Sequence, residues 1–218
     1  DLHIGYEREL EKKGVNIPSQ TYHVAESITE ILEENSAEQL IINGDLKHNI
    51  PMGSWQEYKE IPKALDKWLK VVDNIHLLPG NHDGNINRYI PSDVIVHSSK
   101  GAVINGIGLF HGHAYPSKEV LKTEKLIIGH NHPTIFITDS LGNKKKRECW
   151  IRLDYRYEEF EGEAILMPHF NPLLGGNNIN DNGYIGPFLK NCEKENERVY
   201  LLDGTFLGHL NDLTYSSK

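Results

Sequence analysis

The 218-residue chain is poor in cysteine and methionine, has no long apolar run and carries no excess of positive charge. Its two cysteines, Cys149 and Cys192, are too few for a disulfide framework, and neither sits in a metal-type C-x-x-C. Reduced thiols of this kind favour an intracellular protein, with the cytoplasm as the expected compartment. No stretch approaches the roughly 20 apolar residues of a membrane-crossing helix, and the first residues show no signal-peptide pattern. Repeats, low-complexity tracts and a convincing linker are also missing, so a single domain over 1–218 is expected. Against 31 acidic residues stand only 23 basic ones, a formal net charge of −8, which argues against a broad electrostatic grip on nucleic acid. Carboxylates gathered around bound cations would distort that count.

What is present is a composition 38% hydrophobic and 25% charged, that of a folded protein rather than a disordered one. Residues 19–36 predict an amphipathic helix, with Ser19 as N-cap and Val24, Ile28, Ile31 and Leu32 on its inner face. Leu40-Ile41-Ile42-Asn43 predicts a buried parallel strand ending at Gly44-Asp45. A second helix begins at Ser54, whose spacing to Glu57 fits a capping box, with Pro62 expected to kink or restart it. Ile75 to Leu78 is the next strand. Beyond it, Val103-Ile104 and Ile107 to Phe110 flank the hairpin turn Asn105-Gly106. Leu126-Ile127-Ile128 is another strand. Residues 134–138 and 147–153 predict a hairpin around the turn Asp139 to Lys146, which places the basic run Lys144-Lys145-Lys146-Arg147 in that turn. Strand-like runs at Ala164 to Met167 and Val199 to Leu202 flank a loop rich in Gly and Asn, from Asn171 to Pro187. The reading is α/β: an α/β half followed by a β-rich half, packed as a two-sheet β-sandwich with helices outside.

Five islands of Asp, Asn and His fall where these strands end: Asp1-Leu2-His3, Gly44-Asp45, Gly80-Asn81-His82-Asp83, His111-Gly112 and Gly129-His130-Asn131-His132. Loops at the carboxyl ends of strands build sites in such folds. The inventory suits a dinuclear metal centre, with oxygen and imidazole donors for two ions and one carboxylate to bridge them. Asp1 and His3, two apart on an extended segment, point to the same side. Asp45 is the natural bridging carboxylate. A mixed N/O set without thiolate favours manganese, iron, cobalt, nickel or zinc over magnesium or calcium. A ligand such as Asp1 normally follows a buried strand, so a further N-terminal segment is expected ahead of it in the natural protein.

The pattern is similar to the calcineurin-like metallophosphoesterases. The strings DLHIGYE, INGDLKHNIP, GNHDGN, FHGHAYP, IGHNHP, CWIRL, NPLLGG and YLLDGTFLG resemble the archaeal SbcD-related phosphoesterases, relatives of bacterial proteins associated with DNA-ligase operons. The resemblance implies a four-layer αββα fold. It also implies two divalent ions, manganese foremost, one held by Asp1, His3, Asp45 and His132 and the other by Asp45, Asn81, His111 and His130. A metal-bridging hydroxide would then attack phosphorus in line. His82 would stabilise the developing charge and protonate the leaving oxygen, with Asp83 holding its ring. His48 would face a phosphodiester. His113 would be substrate-facing or sit behind the ligands. His23, His76, His97, His169 and His209 match no motif.

The expected function is hydrolysis of phosphodiesters in nucleic acid, with single-stranded or damaged DNA as the candidate form, or in nucleotide-derived substrates. Two alternatives stay open: a phosphatase or cyclic-nucleotide phosphodiesterase acting on a small molecule, and a non-catalytic scaffold on the same fold. The chain ends at Lys218, and His130 follows His111 by only 19 positions, which leaves little space for a DNA-holding insertion.

Overall fold

A computed structural model describes residues 1–138 and 143–213, and the chain divides there into two compact units, 1–99 and 100–218. The first unit contains α1 (Tyr6–Lys12), α2 (Thr21–Glu34), β1 (Gln39–Ile42), α3 (Trp55–Trp68), β2 (Asn74–Leu77) and β3 (Val94–Val96). Its strands form a parallel sheet in the order β1-β2-β3, with Leu40 level with Ile75 and Ile75 level with Val94. Helices and sheet share one core: Val24, Ile28 and Leu32 of α2 and Ile61, Leu65 and Trp68 of α3 close over Ile42, Ile75, Leu77 and Val94. The Trp68 indole N–H donates to the Ala25 carbonyl at 3.1 Å, so the two helices are joined by a satisfied buried polar group.

The second unit contains β4 (Ala102–Ile104), β5 (Ile107–Phe110), α4 (Lys118–Leu121), β6 (Lys125–Ile128), β7 (Pro133–Thr138), β8 (Lys144–Tyr157), β9 (Phe160–Leu166), β10 (Asn177–Asn178), α5 (Ile179–Asn182), α6 (Pro187–Asn191), β11 (Glu193–Leu201), β12 (Phe206–His209) and α7 (Leu210–Leu213). Among the described residues, nine strands form one sheet whose main path runs β10-β7-β8-β9-β6-β5-β4, with β11 pairing β8 and β12. Along β8, Cys149, Ile151, Leu153 and Tyr155 alternate into a core shared with Phe110, Leu126, Ile128, Leu166 and Phe188. The fold class is thus mixed α/β, two sheets each packed with helices. No helix among the described residues is long and apolar enough to cross a membrane.

Several expectations need adjustment. The cap of α2 is Gln20 rather than Ser19, although the Ser19 hydroxyl does accept the Thr21 N–H at 3.2 Å. Ile31 lies outside the inner face at 48% exposure, while Val24, Ala25, Ile28, Thr29 and Leu32 are buried. The Ser54–Glu57 capping box is present, and α3 runs through Pro62 without restarting. Asn105 and Gly106 both have positive φ, 51° and 78°, as a two-residue hairpin between β4 and β5 requires. The basic run is strand, not turn: Lys144 to Arg147 open β8 and pair with β7, and residues 139–142 of the expected turn lie outside the described residues. The loop from Asn171 carries β10 and α5, two short elements that its Gly and Asn content conceals.

Candidate metal centre

In the first unit the segment Asp1–Ile4 lies parallel to 45–48. The N–H groups of Leu2 and His3 donate to the Asp45 carbonyl at 3.0 and 2.8 Å, and the His48 N–H returns a bond to the Ile4 carbonyl at 3.0 Å. Just past the end of β1, Gly44 and Asp45 have φ of 89° and 49°, a left-handed pair that sets the turn carrying the Asp45 carboxylate. The third island is built to receive it. A Cβ on Gly80 would lie 2.2 Å from Asp45 Oδ1 and 2.5 Å from its backbone nitrogen, so only glycine fits. Two residues on, the His82 N–H donates to the same oxygen at 2.8 Å.

Three imidazoles gather around this carboxylate. One ring nitrogen each from His3, His48 and His82 lie within 4.8 Å of one another, and the ring centroids are 4.7 to 5.2 Å apart. Their protons can be traced for neutral rings. Glu9 Oε2 lies 2.6 Å from His48 Nε2, so that nitrogen donates, and His48 Nδ1 is left as acceptor. His3 Nδ1, 3.1 Å away, therefore carries the proton of that ring. The lone pair of His3 Nε2 then sits 3.5 Å from Asp45 Oδ2. Two electron-rich atoms placed side by side in a buried setting are what a divalent cation satisfies, so these residues fit a metal.

The contacts of Asp83 and His48 bear on two of the expected roles. Asp83 does not reach the His82 ring. Its oxygens accept the N–H groups of Lys47 at 3.1 Å and Gly80 at 2.9 Å, while His82 Nδ1 donates to the His48 carbonyl. Asp83 is thereby a clamp between two islands, and burial, with the nearby Asp45 charge, raises its pKa. His48 is 8% exposed and both its ring nitrogens are engaged, by Glu9 and His3, so it faces protein rather than open solvent. Asn81 stands exposed in the turn before His82.

Three residues with no place in the sequence reading of the site hold this arrangement. Glu9 sets the His48 tautomer. Glu57, wholly buried, accepts the N–H groups of His48 and Asn49 at 2.9 and 2.7 Å, as well as completing the α3 cap. Lys47 is also wholly buried, its Nζ donating to the Asn49 carbonyl at 2.5 Å, and burial lowers its pKa. The capping-box spacing had exposed Glu57 as a helix residue, but nothing local announces its second task.

In the second unit, β5 delivers His111, 1% exposed, and β6 delivers the turn Gly129 to His132. The His111 and His130 ring centroids are 5.0 Å apart, and His113 lies 5.3 Å from His111. His130 and His132 have φ of 61° and 43°. Asn131 between them is fully buried, its side-chain oxygen accepting the Ile185 N–H at 3.0 Å, and His132 O accepts the Asn177 N–H at 2.8 Å. The Gly/Asn-rich segment thus wraps the loops that carry His111, His130 and His132, and its glycines allow contact: a Cβ on Gly186 would lie 2.3 Å from Gly112 O. His169, unassigned by motif, packs 5.4 Å from His132 with Glu148 3.2 Å from its Nε2, and burial holds its pKa down, to about 4.

A family model described as calcineurin-like phosphoesterase matches residues 1–210. The chain belongs to the calcineurin-like phosphoesterase family. It is accordingly a metal-dependent phosphoesterase, a hydrolase that works with divalent cations. The crystal structure of nuclease MPE from Pseudomonas putida is similar in fold, at TM-score 0.51 and 23% identity over 81% of this chain and 73% of that one. A single mutant of Vps29 from Entamoeba histolytica matches at TM-score 0.34 and 14% identity over 78% and 88%, too loosely to carry an argument. No curated protein matches. Both cysteines of this phosphoesterase are buried and free, and burial pushes the Cys149 thiol up to about 12.

Proposed function

We propose that this phosphoesterase hydrolyses phosphodiesters of nucleic acid or nucleotide-derived substrates at a dinuclear centre, manganese being the best-fitting metal. The donors would be Asp1, His3, Asp45 and Asn81 in the first unit and His111, His130 and His132 in the second. When bound, divalent ions lower the pKa of water and neutralise phosphate charge. The imidazole cluster beside Asp45 carries the reading. Its immediate neighbours are carboxylates and the Tyr6 ring, 4.8 Å from His48. Weakly charged donors among carboxylates suit a singly charged diester better than a doubly charged monoester, which calls for guanidinium-type clamps. His82 keeps its Nδ1 proton on the His48 carbonyl, so Nε2 is the position that exchanges a proton with a leaving oxygen. His48 acts through His3 as a positioning residue. Similarity in fold to a nuclease, and the SbcD-like strings, are compatible with a nucleic-acid substrate.

Turnover of bis-p-nitrophenyl phosphate, p-nitrophenyl phosphate and single-stranded DNA by the metal-loaded protein tests this. Diester and DNA hydrolysis are expected to exceed monoester hydrolysis. Rapid monoester turnover with inert diesters and DNA would overturn the proposal in favour of a small-molecule phosphatase. His82→Ala is expected to keep its metal and lose most turnover, about 10²-fold or more; near-native activity on every substrate would remove His82 from the chemistry.

A further inference from the structure

We infer that the first residues of β8 form a basic arm that binds the phosphate backbone of a nucleic-acid strand beyond the bond being cleaved. This rests on the nucleic-acid reading above. In a chain of net charge −8, the four consecutive cations Lys144, Lys145, Lys146 and Arg147 are a local reversal of sign, and all four are exposed. Because they belong to a paired strand, their spacing is fixed: each faces a β7 residue, Lys146 opposite Phe136 and Arg147 opposite Ile135.

Cross-strand partners share a face of the sheet, and alternate residues along a strand do so too. One face therefore carries Thr134, Phe136, Glu148, Lys146 and Lys144. That face begins at the histidines: β7 opens directly after His132, His169 packs 5.4 Å from His132, and Glu148 lies 3.2 Å from His169 Nε2. Lys146 donates to the carbonyls of Gly175 and Gly176, the latter at 3.0 Å, which fixes the inner end of the row against the loop that wraps His132. Lys144 follows about 6.8 Å further out, a step comparable with the separation of successive phosphates on an extended strand. Lys145 and Arg147, on the opposite face, lie within a Debye length and raise the same local potential. A row of fixed cations running outward from metal-ligand histidines suits a polyanion threaded through the site, more than an acidic membrane, which would call for a flat basic surface with apolar anchors.

The test compares wild type with Lys144→Gln/Lys145→Gln/Arg147→Gln, which spares the anchored Lys146. Binding of a fluorescein-labelled single-stranded oligonucleotide of about 20 nucleotides to the full chain is measured in EDTA between about 50 and 200 mM salt. Removing Lys144 from the row, together with the two cations on the opposite face that raise its potential, should lower the slope of log K against log salt by up to about 2 and weaken binding about tenfold or more at the low-salt end. A control of equal kind, Lys122→Gln/Lys190→Gln, both exposed elsewhere in the second unit, should leave the slope as in wild type. An unchanged slope and affinity in the triple variant, or an equal loss in the control, overturns the proposal. So does loss of binding to phosphatidylserine vesicles with oligonucleotide binding intact. If the wild type hydrolyses bis-p-nitrophenyl phosphate but neither binds nor cleaves oligonucleotides, the substrate reading itself fails, and that is visible before any variant is made.

Discussion

His3, Asp45, His130 and His132 share a feature that ordinary side chains avoid: φ values of 44°, 49°, 61° and 43°. A Cβ in this left-handed region costs roughly 1–2 kcal/mol per residue, and such strain collects where function demands it. Glycine at His132 would relieve it, so His132→Gly is expected to leave urea stability within about 1 kcal/mol of wild type, or raise it, while metal affinity and turnover fall. A large loss of stability would show the strain to be unimportant. Gly80→Ala runs the other way. Its Cβ would need the place of Asp45 Oδ1, and a cost of about 2–4 kcal/mol is expected in urea denaturation, with metal binding lost. Glu9→Gln removes the carboxylate that sets the His48 and His3 tautomers, and metal affinity measured by calorimetry should drop about 10–100-fold. Of these residues, sequence spacing pointed to the proposed ligands but not to Glu9 or Lys47. A ligand motif is local, whereas a residue that orients a ligand is fixed only by the folded path of the chain, as the 39 positions between Glu9 and His48 illustrate.

At the level of elements, the first turn of α3 joins stability to the site. Ser54→Ala should cost about 1 kcal/mol, the usual worth of a cap, with turnover little changed. Glu57→Ala should cost more and also reduce turnover, because the Asn49 N–H loses its acceptor and the His48 N–H keeps only the Ile4 carbonyl. The β2–β3 pair carries a pH response. His76 Nδ1 and His97 Nε2 are 2.8 Å apart, and burial, then the His76 charge, holds the His97 pKa below its usual 6.5. The unfolded chain binds that proton more readily, so His97 adds no penalty above about pH 6.5, and stability falls as pH drops from there until His97 is protonated in the folded state as well. His97→Gln should flatten the urea midpoint between pH 7.5 and 5.5 relative to wild type. Periodicity located most strands and both long helices because each buries one apolar face. It failed at Lys144 to Arg147, where the opening residues of β8 are exposed and carry no apolar alternation, and in 171–187, where two-residue and four-residue elements leave no period to read.

For the molecule as a whole, the α/β-then-β order was legible, and it corresponds to two units with separate apolar clusters. That the chain folds as one domain remains our proposal. Cys149 and Cys192 allow a test, being buried thiols in the second unit with pKa values raised by burial. Neither should react with a disulfide reagent in the native protein, and both should react at the urea midpoint given by amide exchange in α2 and α3. Thiol exposure at a distinctly lower midpoint would make the units independent.

Lys47 has a consequence for how such a protein can be watched at work. Most lysines here are open to acylating reagents, but an amine buried on the Asn49 carbonyl, in a residue whose backbone N–H donates to Asp83, is labelled only when the backbone between two islands comes apart. The rate at which mass spectrometry finds that one amine modified is therefore a clock for local opening of the segment that follows Asp45, running alongside turnover.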